Sequence, residues 1–296
     1  MTEVIDAAAL RKHIGRLTAF GPRHRDDSRA VSAALDHITG CLAGYGYEVV
    51  REPYGDAPHE VNLLAERAGT AMAPVLEIGA HWDSVAGSPG ADDNASGVAG
   101  LLELARICAA EPAAPRTVRF CFFGGEEHDP GPCNGSRAHV ARLDATRADV
   151  EGIIVLEMIG YRDLRPGSQT FPDADGQADL DLTRLHRADF IAAVGNVEAA
   201  AYLAAIGDGG AAQVPPLPVV AVPLPSDHEA NGARSDHQPY WASGRLGVMV
   251  TDTAEFRNPH YHQPTDTLDT LDLDFAAQVT QAVADAMRTL AHRPAE

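Results

Sequence analysis

Basic residues are scarce in this chain of 296 residues. Its 23 Lys and Arg stand against 42 Asp and Glu, which gives a formal net charge of −19 at pH 7. A nucleic-acid-binding protein needs a basic surface against the phosphates, so this composition argues against a nucleic-acid partner. A negative field of this size instead favours solubility and the binding of cations or cationic groups.

Cysteine is also rare, with four residues and no CxxC pair. So few cysteines exclude a small disulfide-stapled fold, and a hydrophobic content of 45% is enough for an ordinary globular core. Cys41 and Cys108 lie among apolar neighbours in helix-like segments, which predicts buried free thiols. The sequence leaves open whether Cys121 and Cys133 form a disulfide.

Long apolar runs are missing as well. No segment offers about 18 uninterrupted apolar residues, so we expect no membrane span. The first residues, Met1 to Leu17, have the pattern of an amphipathic helix and lack the continuous apolar stretch of a signal peptide. Together these absences predict a cytoplasmic protein. The sequence carries no information on the oligomeric state.

Apolar periodicity divides the chain into alternating helix-like and strand-like segments. This alternation predicts an α/β fold in three layers, with helices on both faces of a mixed, largely parallel sheet. No domain boundary is visible, so residues 1–296 are expected to form a single domain. The predicted helices are Val4–Phe20, Asp27–Leu42, Asn94–Ala110, Gly135–Leu143, Leu182–Ile206, Gln238–Ser243 and Leu273–His292, and the predicted strands are Tyr47–Tyr54, Val61–Glu66, Val75–Ala80, Thr117–Phe123, Gly152–Ile159, Val219–Leu224 and Leu246–Thr251.

Acidic residues and a histidine recur where the predicted strands end. His81 and Asp83 follow the run VLEIGA, Glu126 and Glu127 follow TVRFCFFGG, and Glu157 follows GIIVL. Ligands of open α/β sheets bind outside the carboxyl ends of the strands, so these residues mark a candidate site. Each one alone has an ordinary explanation, as a solvated acid or a hydrogen-bonded histidine. Together they offer the carboxylate and imidazole ligands that a divalent metal prefers.

Two further segments add donors of the same kind. Asp93 stands in an Asp-Asp-Asn sequence before a predicted helix, where such a sequence is also an ordinary N-cap cluster. His262 follows the last predicted strand. Asp93 can bridge two metals through its two oxygens. The adjacent Glu126 and Glu127 point in different directions, so one can bind metal while the other acts as a general base.

The motifs GAHWDS, GADDNASG, GGEE, VLEMIGY, RSDH and PHYHQPTDT follow one another along the chain. This ordered set resembles metallopeptidase family 28. This is the two-zinc aminopeptidase family, which also includes relatives of glutamate carboxypeptidase II and the glutaminyl cyclases. Each motif is weak alone, but the ordered set is specific and covers most of the chain. The resemblance implies a zinc-aminopeptidase fold of the phosphorylase/hydrolase-like type.

The resemblance also implies a dinuclear zinc site with two Zn²⁺ per chain. In this comparison Asp93 is the bridging carboxylate, and the Asp93–Asn94 peptide bond is often cis in the family. The implied substrate is a peptide or aminoacyl compound with a free N-terminus, and the implied reaction is removal of its first residue by a metal-activated water. The implied ligands are His81 and Glu157 for the first zinc, Glu127 and His262 for the second, and Asp93 for both.

Three further residues have implied roles in the chemistry. Glu126 resembles the general base. Asp83 stands two residues after His81, on the same side of an extended segment, where it can orient the histidine ring. Tyr261 resembles a tyrosine that steadies the tetrahedral intermediate in some members.

The motifs RSDH and FRNPHYH match family segments near the substrate pocket. They make Asp236, His237 and Arg257 candidate substrate residues. Ordinary structural explanations are equally open. Ser235 or Asp236 can cap the following helix, and Arg257 can brace the loop before His262.

Two departures from the family bear on the metal count and on the alternatives. Glu157 stands where many members have Asp, so the first site is expected to be reshaped. Three ligand carboxylates carry −3 against the +4 of two Zn²⁺, which favours two metals over one. The loop His128–Cys133 is a second departure and has no assigned role.

Three other functions remain as alternatives to an aminopeptidase. One is a mono-zinc glutaminyl-peptide cyclotransferase, which would cyclise an N-terminal glutamine, and the full ligand set argues against it. Another, from a different class, is a non-catalytic binding module on the same scaffold. A related two-metal deacylase with an inserted lid domain would need about 100 additional residues that are not visible in the pattern.

Overall fold

The computed structural model of the protein describes residues 4–127, 133–171, 185–227 and 231–293. Seven α-helices and eight strands lie in these ranges. In chain order they are α1 (Ala7–Thr18), α2 (Ser28–Gly44), β1 (Val49–Pro53), β2 (Val61–Arg67), β3 (Val75–His81), α3 (Gly97–Ala110), β4 (Val118–Phe123), α4 (Asn134–Thr146), β5 (Val150–Glu157), β6 (Ile191–Asn196), α5 (Ala200–Ala211), β7 (Val219–Leu224), α6 (Gln238–Ala242), β8 (Leu246–Thr251) and α7 (Leu273–Ala291).

All eight strands join one sheet in the order β1-β2-β4-β3-β5-β8-β6-β7. Four of the seven neighbour pairings are parallel and three are antiparallel. The parallel strands β4, β3, β5 and β8 are adjacent at the centre, and the antiparallel pairings lie toward the edges. The mixed α/β sheet predicted from the sequence is confirmed.

Helices cover both faces of the sheet, as alternate residues of β5 show. Ile154 and Leu156 belong to the larger apolar cluster, which contains residues of α1, α2, α3, α5 and α7. Ile153 and Val155 belong to a second cluster on the opposite face, which contains residues of α4 and α6. Strands buried on both faces read as continuous apolar runs, which is the pattern of GIIVL. The three-layer, single-domain arrangement is therefore confirmed.

One predicted helix is wrong over part of its length. Leu182–Ile206 was expected to be mostly helical, but Ile191–Asn196 forms β6 and the helix begins at Ala200. A short apolar run does not distinguish a buried strand from a buried helix by periodicity alone. Here the run pairs with β7 and β8 in the sheet, and this tertiary pairing decides its conformation. Residues 182–184, like residues 128–132 of the loop after the glutamate pair, lie outside the described residues.

None of the helices in the described part of the chain has the length and apolar character needed to cross a membrane. The cytoplasmic location stays a prediction.

A buried ionic network lies beneath α4. His139 of α4 is 2% exposed and stands between two glutamates, with its Nδ1 3.0 Å from Glu52 Oε1 and its Nε2 3.2 Å from Glu77 Oε1. The Tyr240 hydroxyl donates a further hydrogen bond to Glu77 at 2.5 Å. Burial lowers the pKa of His139, but the two glutamates outweigh burial and raise it to about 9.

This raised pKa predicts a loss of stability at alkaline pH. The His139 pKa is about 9 in the folded chain and about 6.5 in the unfolded chain. The protonated histidine therefore stabilises the fold fully below pH 6.5, and its contribution is lost as the pH rises through 9. We expect the free energy of unfolding of chelator-treated protein to fall by on the order of 3 kcal/mol between pH 6.5 and 9.5, measured by urea titration.

His139→Gln supplies the test variant and His292→Gln the control. His292 is exposed after the end of α7, so its replacement should leave the alkaline decline unchanged. His139→Gln should be less stable than wild type at pH 6.5, and its decline should be smaller than that of wild type but not absent, because His13 and His262 also have raised pKa values. A wild-type stability that is constant across this pH range would contradict the assignment.

Candidate metal centre

Several of the candidate site residues lie at the carboxyl ends of three neighbouring strands. His81 is the last residue of β3, and Glu157 is the last residue of the adjacent β5. Glu126 and Glu127 follow β4, the other neighbour of β3, after two glycines. These three strands are parallel, so their carboxyl ends meet on one side. The position of the site matches the rule applied to the sequence.

Asp93 lies between two histidines, and each of its carboxylate oxygens faces a different one. Its Oδ1 is 3.3 Å from His81 Nε2, and its Oδ2 is 3.1 Å from His262 Nε2. A second carboxylate accompanies each histidine. Glu157 Oε2 lies 3.3 Å from His81 Nε2. Glu127 Oε1 lies 3.1 Å from His262 Nε2.

The spacing of these atoms fits zinc. Around a tetrahedral Zn²⁺ with nitrogen and oxygen ligands, neighbouring ligand atoms lie about 3.3–3.5 Å apart. The four N···O distances, from 3.1 to 3.3 Å, are close to this value. Ligand atoms of His81, Asp93 and Glu127 all lie within 4.8 Å of one another. Imidazole and carboxylate are also the donor types that zinc accepts, so the residues present suit the metal that the family resemblance implies.

The electrostatics of the site favour the binding of a cation. Burial, together with the charges of Glu127 and Glu157, raises the pKa of Glu126 well above its usual range. Burial and the charge of Asp93 raise the pKa of Glu127 to about 8. These shifts express the cost of holding several buried carboxylates close together. A bound divalent ion removes that cost, because it supplies the positive charge at the point where the carboxylates converge.

Asp83 connects the histidine at the end of β3 to the glutamate pair after β4. Its carboxylate is 1% exposed and accepts hydrogen bonds from the backbone N–H groups of Glu126, at 3.3 Å, and Glu127, at 3.1 Å. Its Oδ1 also lies 3.5 Å from His81 Nδ1, the nitrogen that faces away from Asp93. One carboxylate thus lies beside the candidate ligand His81 and holds the turn that presents both glutamates.

The backbone around Asp93 departs from the predicted helix. Asp93 and Asn94 have non-helical φ/ψ angles, and the peptide bond between them is cis, as the resemblance implies. The helix was expected from Asn94, but regular α3 begins at Gly97. The Asn94 side chain accepts a hydrogen bond from the Gly97 N–H at 3.0 Å and donates one to the Leu156 carbonyl at 2.8 Å. These bonds tie the segment to β5 and delay the start of the helix.

Two supporting residues were not among the sequence-derived candidates. Asp266 accepts the backbone N–H of Asp93 at 3.1 Å, and it belongs to the quoted motif PHYHQPTDT, which was the signal available. Arg23 is fully buried and donates to the carbonyls of Trp82 and Gly90, both at 2.8 Å. Burial lowers the pKa of Arg23 to about 10. No local pattern marks Arg23, because its partners lie some 60 residues away along the chain.

The RSDH motif adjoins the ligands through Ser235. The Ser235 hydroxyl donates to Glu157 Oε2 at 2.6 Å. Asp236 is fully buried, and its Oδ1 accepts a hydrogen bond from Ser136 at 2.6 Å. Burial raises the pKa of Asp236 to about 7. Within this motif Ser235 contacts the candidate ligand Glu157 directly, although the sequence favoured Asp236 and His237.

The contacts described for the two other substrate candidates do not bring them to the ligands. His237 is buried and stands edge-on to Trp241, with ring centroids 4.8 Å apart. The Arg257 guanidinium is buried. It donates hydrogen bonds to the Phe190 carbonyl at 2.7 Å and to the Gln169 side chain at 2.8 Å. These bonds are those of a brace for the loop before His262, which is the structural alternative stated above, and a substrate role of Arg257 stays a prediction.

Tyr261 lies beside the second histidine of the site. Its ring stacks on His262 with centroids 3.8 Å apart, and its hydroxyl accepts a hydrogen bond from Arg234 at 3.3 Å. Arg234 is also paired with Glu255. The structure therefore brings Tyr261 next to the ligand set, as the resemblance implies.

All four cysteines are free, so Cys121 and Cys133 are not joined. Cys41 and Cys108 are half-buried, which corrects the expectation that both are buried, because each lies on a helix face that is only partly covered. Cys133 is buried beside the glutamate pair, with its thiol 3.6 Å from Glu126 Oε1.

Comparisons with other proteins give relatives that are at least 30% identical, among them the following two. YfbL of Escherichia coli (strain K12), an uncharacterised protein, is 34% identical over 93% of this chain and 85% of its own length. A protein named probable lipoprotein aminopeptidase LpqL, from Mycobacterium tuberculosis, is 30% identical over 71% of this chain. That alignment spans 41% of LpqL, so the chain corresponds to less than half of it.

Two solved structures share the fold at low identity. The aminopeptidase from Aneurinibacillus sp. strain AM-1 has a TM-score of 0.72 at 18% identity, with 100% of this chain and 96% of that chain covered. The glutaminyl cyclase of Porphyromonas gingivalis has a TM-score of 0.71 at 19% identity, with 97% and 99% covered. The same fold therefore occurs in a protein named an aminopeptidase and in one named a glutaminyl cyclase. At such low sequence identity the similarity shows the fold alone.

The family itself follows from a longer match. Residues 62–287, most of the chain, match the family model described as Peptidase family M28. The matched range contains all five candidate ligands and Glu126. The chain belongs to peptidase family M28.

Proposed function

We propose that this chain is an aminopeptidase that holds two Zn²⁺ and removes the N-terminal residue of peptides. The observation that carries the proposal is the position of the Asp93 carboxylate. One of its oxygens faces His81 and the other faces His262. A single zinc can also bind two histidines, but both would then face the same ion. Two histidines, each with its own glutamate and one shared aspartate, are the donors expected of a paired site.

Zinc held by these residues supplies Lewis acidity, which polarises the scissile carbonyl and makes water acidic near neutral pH. Glu126 is the proton carrier: its carboxylate accepts a proton from the attacking water and delivers it to the leaving amine. Glu126 is 8% exposed, so its charged form depends on nearby positive charge. Asp83 fixes the backbone of Glu126 and thereby the position of its carboxylate.

Two further residues position groups around the reacting bond. Ser235 holds Glu157 through its hydroxyl, which fixes the longer glutamate where many relatives have aspartate. Tyr261, stacked on His262, has its hydroxyl available to the oxyanion of the tetrahedral intermediate, with Arg234 behind it.

The substrate class follows from the charge of the site. Buried carboxylates surround the metal ligands, and the whole chain carries a net charge of −19. Such surroundings favour the free amino group of a peptide over its carboxylate. Anchoring that amine limits attack to the first peptide bond. The name of LpqL, an aminopeptidase, is in line with this choice.

A matched panel of substrates tests the proposal. Aminoacyl nitroanilides and their N-acetylated counterparts would be offered to zinc-loaded protein, with and without a chelator. We expect cleavage of the free-amine compounds only, with complete loss in chelator, because the acetyl group removes the anchoring amine. The ranking of the panel reads out the preferred side chain.

Other outcomes separate the alternatives. Equal cleavage of acetylated compounds would contradict amine anchoring and point to an endopeptidase or deacylase. Cyclisation of N-terminal glutamine without nitroanilide hydrolysis would identify a glutaminyl-peptide cyclotransferase. Peptide binding without turnover of any compound would identify a non-catalytic binding module.

A further inference from the structure

A second group of metal-binding side chains lies between the first two helices. His13 of α1 and His37 of α2 approach closely, with His13 Nδ1 3.2 Å from His37 Nε2. The thiol of Cys41, one turn after His37 on α2, lies 4.0 Å from His13 Nδ1 and 3.9 Å from His37 Nε2. Ligand atoms of all three lie within 4.8 Å of one another. Neither helix contributes a ligand to the centre described above.

The two helices present these atoms by simple geometry. Residues four apart share one face of a helix, so His37 and Cys41 point the same way. His13 is 6% exposed and faces them from α1. Its other ring nitrogen, Nε2, lies 3.7 Å from the buried carboxylate of Glu103 on α3. A carboxylate behind the far nitrogen is the usual support of a metal-bound histidine, since it orients the ring and strengthens the donor.

Three electron-rich atoms that converge on one point are held together either by protons that they share or by a metal ion between them. Two imidazole nitrogens and a thiol sulfur are soft and borderline donors, which favour Zn²⁺ over Mg²⁺ or Ca²⁺. Around tetrahedral zinc, the expected separations are about 3.3 Å for N···N and about 3.6 Å for S···N. The N···N distance of 3.2 Å agrees. The S···N distances of 3.9 and 4.0 Å need a closure of about 0.4 Å, which side-chain rotation supplies.

We propose that His13, His37 and Cys41 form an additional Zn²⁺ site, separate from the centre at the strand ends. Three protein ligands leave a fourth position for water, and His37 and Cys41 are half-exposed, so the ion exchanges with solvent. The site fastens α1 to α2. Because α1 packs against the segment Ala91–Ser96, this Zn²⁺ site also stabilises the backbone that carries Asp93.

Cobalt distinguishes this site from the other centre, because only a thiolate–Co²⁺ bond produces an intense near-ultraviolet charge-transfer band. Chelator-treated wild type, Cys41→Ser and His37→Ala would be titrated with Co²⁺. Cys108→Ser, another half-buried free thiol, and Cys133→Ser, the thiol beside Glu126, are the matched controls. Zinc content would be measured in parallel by atomic emission after dialysis.

We expect the charge-transfer band in wild type, Cys108→Ser and Cys133→Ser, and its loss in Cys41→Ser. Cys41→Ser and His37→Ala should each contain one zinc equivalent less than wild type. Zinc should raise the melting temperature of wild type more than that of Cys41→Ser, while the metal-free forms melt alike, which shows that the variant folds. Equal zinc content in all five proteins, or a band that persists in Cys41→Ser, would overturn the proposal.

Discussion

Glu126→Gln is expected to lower kcat by about 10²–10⁴-fold while the bound zinc remains. Glutamine has the size and shape of glutamate, but its amide does not take up a proton from water at neutral pH. Glu126 is not among the five ligands, and its backbone N–H bond to Asp83 is unaffected by the change. Nitroanilide hydrolysis would be measured together with zinc content by atomic emission.

Glu48→Gln is the matched control, because Glu48 is an exposed acid just before β1. It should keep wild-type kcat and metal content. A Glu126→Gln enzyme with kcat within about tenfold of wild type would place the general base elsewhere. Loss of zinc from this variant would instead make Glu126 a ligand and contradict the division of roles between it and Glu127.

Asp93→Ala is expected to remove zinc from both halves of the centre and to reduce activity more than about 100-fold. Loss of a supporting residue behind a ligand typically costs 10–100-fold in metal affinity, and loss of a ligand costs more. Asp93 faces both His81 and His262, so one substitution disturbs both halves. Atomic emission after dialysis should show a deficit of two equivalents relative to wild type.

Variants that change only one half of the centre test whether it holds one metal ion or two. Glu127→Ala and Glu157→Ala each remove a carboxylate from one half only, so each should lose one equivalent. Asp266→Asn, which disturbs the backbone support of Asp92 and Asp93 but removes no ligand, should weaken zinc binding by about 10–100-fold without abolishing it. A deficit of one equivalent in all three alanine variants would mean a mononuclear centre. The zinc proposed at Cys41 should be retained in each of them.

The fold was predictable wherever the signal was local. Continuous apolar runs marked β3, β4 and β5, because strands buried on both faces need apolar residues throughout. The run Ile191–Asn196 was misread as helix, since six residues of this kind are compatible with either state until a neighbouring strand is available. The start of α3 was misplaced because Asn94 donates a hydrogen bond to the Leu156 carbonyl of β5, which lies 62 residues away in the chain.

The candidate ligands were visible in the sequence because residue type and position after a strand are both local properties. His81, Glu127 and Glu157 stand at strand ends, where the sheet itself brings them together. Arg257 was ambiguous because a buried brace and a substrate contact look alike in sequence. Its bond to the Phe190 carbonyl joins residues 67 positions apart, a distance that no local pattern spans.

The sequence by itself determined the layer architecture, the residue types of the candidate centre and their order along the chain. Only the tertiary structure decided how those atoms pair. It divides the two oxygens of Asp93 between His81 and His262, and it brings His13 against His37 and Cys41. The reason is physical: a ligand needs the right chemical group, which one residue supplies, whereas a site needs atoms about 3 Å apart, which only the packing of distant segments supplies.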